Sequence, residues 1–347
     1  MKNTVPAVNQ HIFTLNPDGK GYALAQAKTA IPKVERNQVL IKIGAASLNY
    51  RDLLVKMGIT GPLKSGLVPL SDAAGTVVAV GEDVSRWSVG DRVASTFFPQ
   101  WREGMFRAQY AAAALGGGQT DGVLAEYIVA SQDAVVGIPE HLTLEEAATL
   151  PCAGVTAWHA LVERCQLKPG QTVLIQGTGG VALFALQIAA AFDARPIVIS
   201  SSDQKLEEAK KLGAWKTINY REQPEWDKVV MDLTDGEGAN HVLELGGPET
   251  FARSVAAVSA AGSIAQIGVL TGFTPQPNLL RLQFVNANIH GITVGSASHF
   301  DALNTFLAKH AIKPFIGREF AFDEAPTAYD YLRQAQHLGK IVIRIGS

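Results

Sequence analysis

The sequence predicts an α/β protein in two parts: a β-rich part, and a doubly wound parallel sheet covered by helices. Three observations predict it. From residue 173 to residue 294, short apolar runs alternate with helical segments, the pattern of parallel strands joined by crossover helices. Before that, β-runs are broken by glycine, with little helix between them. The 347 residues also exceed the size at which a single hydrophobic core stops growing, so two domains are expected.

In the first part, Val39-Leu40-Ile41-Lys42-Ile43 is one β-run and Thr76-Val77-Val78-Ala79-Val80 is another, closed by Gly81. Residues 81–93 form a turn-rich connector. From 94 to 122 the periodicity dissolves into aromatics, alanines and the run Gly116-Gly117-Gly118, the composition of a surface lobe or lid. Beyond Pro139 the segment 144–150 turns helical, with Glu145 and Glu146 in its first turn, where carboxylates favour the positive helix end. The alternation then begins with a strand at 173–176, a glycine turn and an apolar helix through Phe192. A strand at 197–200 and a helix at 204–212, stopped by Gly213, come next. Strands at 241–245, 263–267 and 291–294 continue the series. The final strand, 341–345, is placed to return to the first part.

Hydrophobic residues make up 47% of the chain and charged residues 18%, with 33 glycines, which suits a large core and many tight turns. The formal net charge is -2, with no basic stripe or acidic tail. Nothing electrostatic therefore points to nucleic acid or an anionic membrane as partner. The amino terminus Met1-Lys2-Asn3-Thr4 leads into polar residues, so no signal peptide is expected. No apolar stretch reaches the ~18–20 residues that span a bilayer; 181–192 is shorter and reads as a buried helix. The only cysteines, Cys152 and Cys165, cannot build a disulfide framework or a multi-cysteine metal site, so a cytoplasmic protein is expected.

Gly177-Thr178-Gly179-Gly180-Val181-Ala182 follows a strand and opens a helix, and fits G-x-G-x-x-G/A with alanine in the last place. Gly177 permits the tight turn, Gly179 lets backbone amides approach a pyrophosphate, and small Ala182 lets helix and strand pack closely. Gly180 and Val181 start the helix whose positive end faces the phosphates. Within a β-α-β unit this predicts a dinucleotide site.

The next strand end selects the cofactor. A carboxylate there would hold the ribose hydroxyls of NAD(H). This chain offers Ser200-Ser201-Ser202, then Asp203 and Lys205. Hydroxyls and an ammonium suit a 2′-phosphate, which a terminal carboxylate would repel, so NADP(H) is expected over NAD(H). Two alternatives stay open: Asp203 as the ribose ligand, or Ser202 or Asp203 as a helix N-cap.

Residues 75–80, Val89-Gly90-Asp91-Arg92-Val93, the run from Leu150 to Trp158, the glycine loop and Gly339-Lys340-Ile341-Val342-Ile343 together resemble the medium-chain dehydrogenase/reductase superfamily. The resemblance covers nearly the whole chain. It implies a GroES-like catalytic domain over 1–139 and 301–347 and a Rossmann domain over 140–300. Zinc-dependent members carry a cysteine followed by His-Thr-Asp where this chain has Asn49-Tyr50-Arg51-Asp52, and Gly-His-Glu where it has Leu70-Ser71-Asp72. Of the usual catalytic ligands only Cys152 remains, and the region of the four-cysteine structural lobe, 94–122, contains no cysteine. One thiol with weak oxygen neighbours is not a zinc site, so no metal is expected, and Cys152 reads as a small buried residue. The eight histidines show no ligand spacing.

The run from Ser47 to Asp52 is similar to the zinc-free branch that holds quinone oxidoreductases, acryloyl-type reductases and other enoyl reductases. That resemblance implies contacts from Lys205 and Tyr220 to the 2′-phosphate, beside the hydroxyls of Ser201 and Ser202 read from the strand end. It implies that Asn49 and Thr156 face the nicotinamide. Gly246, Gly268-Val269-Leu270 and Val294-Gly295-Ser296 would line its far side, with Lys340 beside the cofactor. It further implies a homodimer paired through the strand near Ile292.

Without a metal, conjugate hydride addition to an enone or quinone is the least demanding chemistry, because hydrogen-bond donors suffice for the enolate oxygen. Asn49 would orient the nicotinamide or the substrate oxygen, and Tyr50 is the candidate proton donor, or else an aromatic packing group. Asp52 and Arg51 are partners behind them, or a structural ion pair. A metal-free alcohol dehydrogenase and a non-catalytic NADPH-binding sensor are the alternatives. The aromatics Phe97, Phe98, Trp101, Phe106 and Tyr110 suggest a small hydrophobic or aromatic substrate, or equally a packed lid.

Overall fold

A computed structural model describes residues 8–274 and 277–346. The chain divides into two compact units, Met1–Val155 with Gly295–Ser347, and Thr156–Val294.

In chain order the first unit opens with β1 (Asn9–Pro17), β2 (Tyr22–Ala30) and β3 (Gln38–Leu48). Helix α1 (Tyr50–Lys56), β4 (Asp72–Val80), β5 (Arg92–Ser95), α2 (Ala108–Ala112), β6 (Tyr127–Ser131), β7 (Val135–Gly137) and α3 (Leu144–Ala147) follow. The short helix α4 (Val155–Trp158) carries the chain into the second unit. There β8 (Thr172–Gln176), α5 (Gly180–Ala191), β9 (Arg195–Ser200), α6 (Asp203–Lys211) and β10 (Lys216–Asn219) alternate. The series continues with α7 (Trp226–Leu233), β11 (Ala239–Glu244), α8 (Pro248–Ala257), β12 (Val258–Gln266), α9 (Leu280–Val285) and β13 (Asn288–Gly291). The chain returns with α10 (Ala297–His310), β14 (Ile316–Ala321), α11 (Ala325–Arg333) and β15 (Lys340–Arg344).

The second unit is a six-stranded parallel sheet in the order β10-β9-β8-β11-β12-β13. Numbered from β8 this is 3-2-1-4-5-6, the Rossmann order, which reverses between β8 and β11. Val173, Leu174 and Ile175 are fully buried, as an apolar run covered on both faces must be. The expected strand at 291–294 lies earlier, at Asn288–Gly291. Val294 leaves the sheet with φ +46°, and its carbonyl accepts from His159 Nδ1 at 2.8 Å.

The first unit is the GroES-like β-rich part. Its sheet runs β14-β15-β3-β4-β5-β7, with β6 also on β3, and β1 pairs with β2 alone. The carboxyl-terminal strand returns as expected: β15 pairs antiparallel with β3, Ile341 opposite Leu48. The units meet later than the sequence boundary at 139 because 144–155 packs on the first sheet. Leu144 fills the space over Gly44, where an added methyl would lie 2.4 Å from its Cδ1. Cys152 N donates to Asp72 Oδ2 at 3.0 Å. Residues 295–300 likewise stay with the first unit, Ala297 N donating to Trp101 O at 3.0 Å.

Candidate active site

Unit two carries the glycine turn. After β8 the chain passes through Gly177, at φ +77°, a conformation open to glycine at no steric cost. A methyl group on Gly177 or Gly179 would meet no atom within 4 Å, so the backbone there stands open. Helix α5 begins without a side-chain cap, leaving its first N–H groups available, and Ala182, 1% exposed, packs its start against the sheet. This is a cradle for an anion.

Beneath it lies a polar network that the sequence did not disclose. Glu244, fully buried at the end of β11, accepts from Gln176 Nε2 at 2.7 Å, Thr250 Oγ1 at 2.5 Å, Gly246 N at 3.0 Å, Gly247 N at 2.9 Å and the Ser254 hydroxyl. Gln176 Oε1 accepts from the amides of Leu245 and Gly246, each at 3.0 Å. The network ties the ends of β8 and β11 together where the strand order reverses, and holds the turn containing Gly246. Polar residues closing two apolar strands, Gln176 and Glu244, were its signal.

At the end of β9, Ser202 caps α6, accepting from Lys205 N at 3.5 Å. Asp203 accepts from Asn219 Nδ2 at 2.8 Å, which commits its carboxylate to the neighbouring strand. Tyr220 donates its N–H to Ser200 O at 3.0 Å, and the residue is 41% exposed. Ser201, Ser202, Lys205 and Tyr220 are thus gathered around two adjacent strand ends, and partial burial pulls the Lys205 ammonium down. Gly268 sits so close to Leu245 O that an added methyl would lie 1.9 Å away. Val269 and Leu270 follow it, Leu270 exposed. Thr156 and Val294 are buried.

Unit one carries a buried polar cluster at the end of β3. Asn49 is the N-cap of α1; its N–H donates to Asp52 Oδ2 at 2.7 Å, and its carbonyl accepts from Asp52 N at 2.9 Å. Lys340, 3% exposed, donates from Nζ to Leu48 O at 2.7 Å and to Asn49 Oδ1 at 2.6 Å, and lies 3.9 Å from Asp72 Oδ2. Asp72 accepts from Ser71 Oγ at 2.6 Å and from the Cys152 amide. Burial raises the carboxyl of Asp72, against the pull of Lys340. Asp52, 1% exposed, is raised to about 6, by burial above all and against the pull of Arg51. Burial, with Asp72 adding to it, pushes the half-buried Cys152 thiol far up, so it stays protonated at neutral pH.

Two buried atoms here make no hydrogen bond within 3.5 Å, Asn49 Nδ2 and Asp52 Oδ1, although the Asn49 amide lies close enough to Asp72 to help hold its carboxyl down. Asp72 was the missed residue. A carboxylate opening an otherwise small and apolar strand, Asp72 to Val80, was the available signal.

The expected pairing of Arg51 with Asp52 does not form. Arg51 turns to Leu115 O at 2.8 Å and lies 4.7 Å over the Phe97 ring, because Asp52 is taken by the helix cap. Tyr50, at the first turn of α1, points outward with 38% of its surface exposed. Ser296 is 2% exposed, with its hydroxyl taken up in capping α10. Gly295 packs against Val155, where a methyl would lie 2.7 Å from Cγ1. Among the aromatics of the lobe, Phe97, Phe98 and Trp101 are buried, with Trp101 stacked on Tyr110 at 6.2 Å and edge-on to Phe106 at 5.0 Å. That is the packed arrangement.

A Rossmann sheet with an open glycine turn, carried in one chain with a GroES-like unit, defines a class of nicotinamide-dependent dehydrogenases and reductases. Residues 35–140 match the alcohol dehydrogenase GroES-like domain, and 180–309 match the zinc-binding dehydrogenase domain. The chain belongs to the medium-chain dehydrogenase/reductase superfamily and is an NAD(P)H-dependent oxidoreductase. It is 43% identical to a zinc-type alcohol dehydrogenase-like protein of Schizosaccharomyces pombe, over 90% of this chain and 92% of that one. It is 32% identical to 2-methylene-furan-3-one reductase of Solanum lycopersicum, over 92% of this chain and 74% of that one. A Sinorhizobium meliloti 1021 protein solved as a candidate alcohol dehydrogenase superposes with a TM-score of 0.93 at 38% identity, covering 98% of this chain and all of that one.

The nicotinamide dinucleotide that the family implies fits the second unit, whose open glycine turn has room for a pyrophosphate. Zinc does not fit. Among the described residues, no group of three His, Cys, Asp or Glu side chains could hold a metal ion. Beside Asp72 stands the ammonium of Lys340, a cation already paired with the one carboxylate a metal would need.

Proposed function

We propose that this protein is an NADP(H)-dependent reductase that transfers hydride to an activated C=C bond, as in an enone, or to a quinone, without zinc. The observation that carries this proposal is the side-chain amide of Asn49, held through its oxygen by Lys340, in a cluster that offers no metal-ligand set among the described residues. A bound nicotinamide supplies the hydride. Conjugate addition places it on carbon and spreads charge to an oxygen, which a donor held in a dry site stabilises by about 3 kcal/mol. Asn49 donates to that oxygen. Tyr50, next along the chain, gives the proton, and Asp52 holds the Asn49 backbone from behind. The name of the Solanum relative, a reductase of a furanone, supports an enone over a simple alcohol.

The engagement of Asp203 with Asn219 supports NADP(H), since it takes up the carboxylate that would otherwise oppose a 2′-phosphate; we assign that phosphate to the strand ends that carry Ser201, Ser202, Lys205 and Tyr220. Within the second unit, the glycine turn 177–181 takes the pyrophosphate, and Thr156, Gly246, Gly268 to Leu270 and Val294 are assigned to the nicotinamide. Both cysteines are free thiols, which suits a cytoplasmic protein.

The test is stopped-flow oxidation of NADPH, with NADH in parallel, against enones, quinones and aldehydes after exhaustive chelation. NADPH-selective turnover of enones or quinones is expected. Turnover of aldehydes alone would replace this proposal with a metal-free alcohol dehydrogenase, and tight NADPH binding without turnover would replace it with a sensor.

A further inference from the structure

We propose that Lys340 is a positioning residue: its ammonium clamps the amide of Asn49 so that the amide nitrogen is the end presented to the reacting oxygen. This deepens the reductase proposal and rests on it.

The clamp follows from strand register. Ile341 of β15 pairs with Leu48, the last residue of β3, so Lys340 lies alongside the point where β3 gives way to Asn49 and α1. An ammonium has three donors and no acceptor. Two of them go to Leu48 O at 2.7 Å and Asn49 Oδ1 at 2.6 Å, and the Asp72 carboxylate stands 3.9 Å away. Because lysine can only donate, the oxygen of the Asn49 amide must face it and the nitrogen must face away.

The other polar atoms of Asn49 are also committed. Its N–H goes to Asp52 Oδ2 and its carbonyl accepts from the amide of Asp52; of the two N–H groups on Nδ2, one is drawn toward the Asp72 carboxylate and the other is left to give. A charge-assisted bond to the oxygen also draws electron density from the amide, which makes its N–H groups stronger donors. Asp72, 3.9 Å away, offsets the burial of the lysine, which is 3% exposed. Lys340 therefore acts through Asn49 and does not need to touch cofactor or substrate.

The experiment is a double-mutant cycle with Lys340→Met and Asn49→Ala in the full chain, with 2-cyclohexen-1-one, 1,4-benzoquinone or whichever probe the wild type reduces. NADPH affinity is measured separately by fluorescence. Lys340→Met should lower kcat by about 10- to 100-fold, with NADPH affinity kept. It should cause no further loss in the Asn49→Ala background, and Lys340→Arg should restore part of the rate. An equal loss in both backgrounds would overturn the clamp, as would loss of NADPH affinity in Lys340→Met. Lys340→Gln serves if the methionine variant does not fold.

A second readout needs no turnover, so failure of the reductase proposal is kept distinct from failure of the clamp. The side-chain amide resonances of Asn49, assigned by their absence in Asn49→Ala, should shift and lose exchange protection in Lys340→Met. Unchanged resonances would overturn the clamp even in an active enzyme.

Discussion

Asp52 closes the first turn of α1 with one oxygen while the other lies buried without a partner, close to the equally unpartnered hydroxyl of Tyr329. Burial holds its proton more tightly in the folded chain than in the unfolded one, at about 6 against 3.8. The folded state therefore binds more protons between those values, and stability is lost as pH rises from about 4 to about 6. Asp52→Asn keeps the oxygen that caps Asn49 and removes the buried carboxyl that titrates. It should leave stability at pH 4 nearly unchanged and raise it at pH 7.5, by on the order of 3 kcal/mol. Urea unfolding at the two pH values checks this, and a gain independent of pH would contradict the assigned cause. Residue by residue, Asn49, Lys340 and the glycine turn stood out in the sequence as candidates because each lies in a contiguous motif; that Lys340 would bond to Asn49 did not. It did not disclose Asp72 as a member of the cluster, because the contacts that recruit it come from Lys340 and Cys152, distant in the chain. Nor did it disclose that Asp52 would prefer a helix cap to its neighbour Arg51, a choice made by local backbone geometry.

At the scale of elements, two glycines with different duties make opposite predictions. Gly268 brings the chain after β12 against the end of β11, and a methyl there would lie 1.9 Å from Leu245 O. Gly268→Ala must push two packed strand ends apart, at a cost of about 2 kcal/mol or more, and should lower both melting temperature and NADPH affinity. Gly179 takes φ -79°, available to any residue, and a methyl there meets nothing in the protein. Gly179→Ala should keep the melting temperature and weaken NADPH binding alone, because the methyl occupies the space left for the pyrophosphate. Thermal melts with and without NADPH separate the two; a destabilised Gly179→Ala would contradict the open cradle. Strands β8, β9, β11 and β12 were legible because each holds an apolar run bounded by turn residues, whereas β10, Lys216–Asn219, was not, since Ile218 is its one apolar residue. The last strand, β13, was misplaced because 291–294, Gly-Ile-Thr-Val, is more apolar than 288–291, Asn-Ile-His-Gly, while the left-handed Val294, bonded to His159, lies beyond the strand's end.

For the whole molecule, β13 is an edge strand, and Leu270, Phe273, Leu279, Leu280 and Phe284 near it are 44–74% exposed. Apolar surface beside an unpaired strand edge is a site for self-association, and a homodimer through this edge is the assembly we propose. Light scattering after size exclusion should give twice the chain mass, and Phe284→Asp should give a folded monomer; a wild-type monomer would remove the proposal. Domain architecture was legible from length and β-α alternation, whereas the boundary at Val155 was set by packing of 144–155 on the first sheet, which no local pattern marks. The most direct measurement of the central claim is deuterium transfer from the 4-position of labelled NADPH by the chelated enzyme, with the product read by NMR. The account predicts deuterium on the carbon β to the carbonyl of 2-cyclohexen-1-one. Deuterium found only on a carbinol carbon, or transfer that requires added zinc, would contradict it.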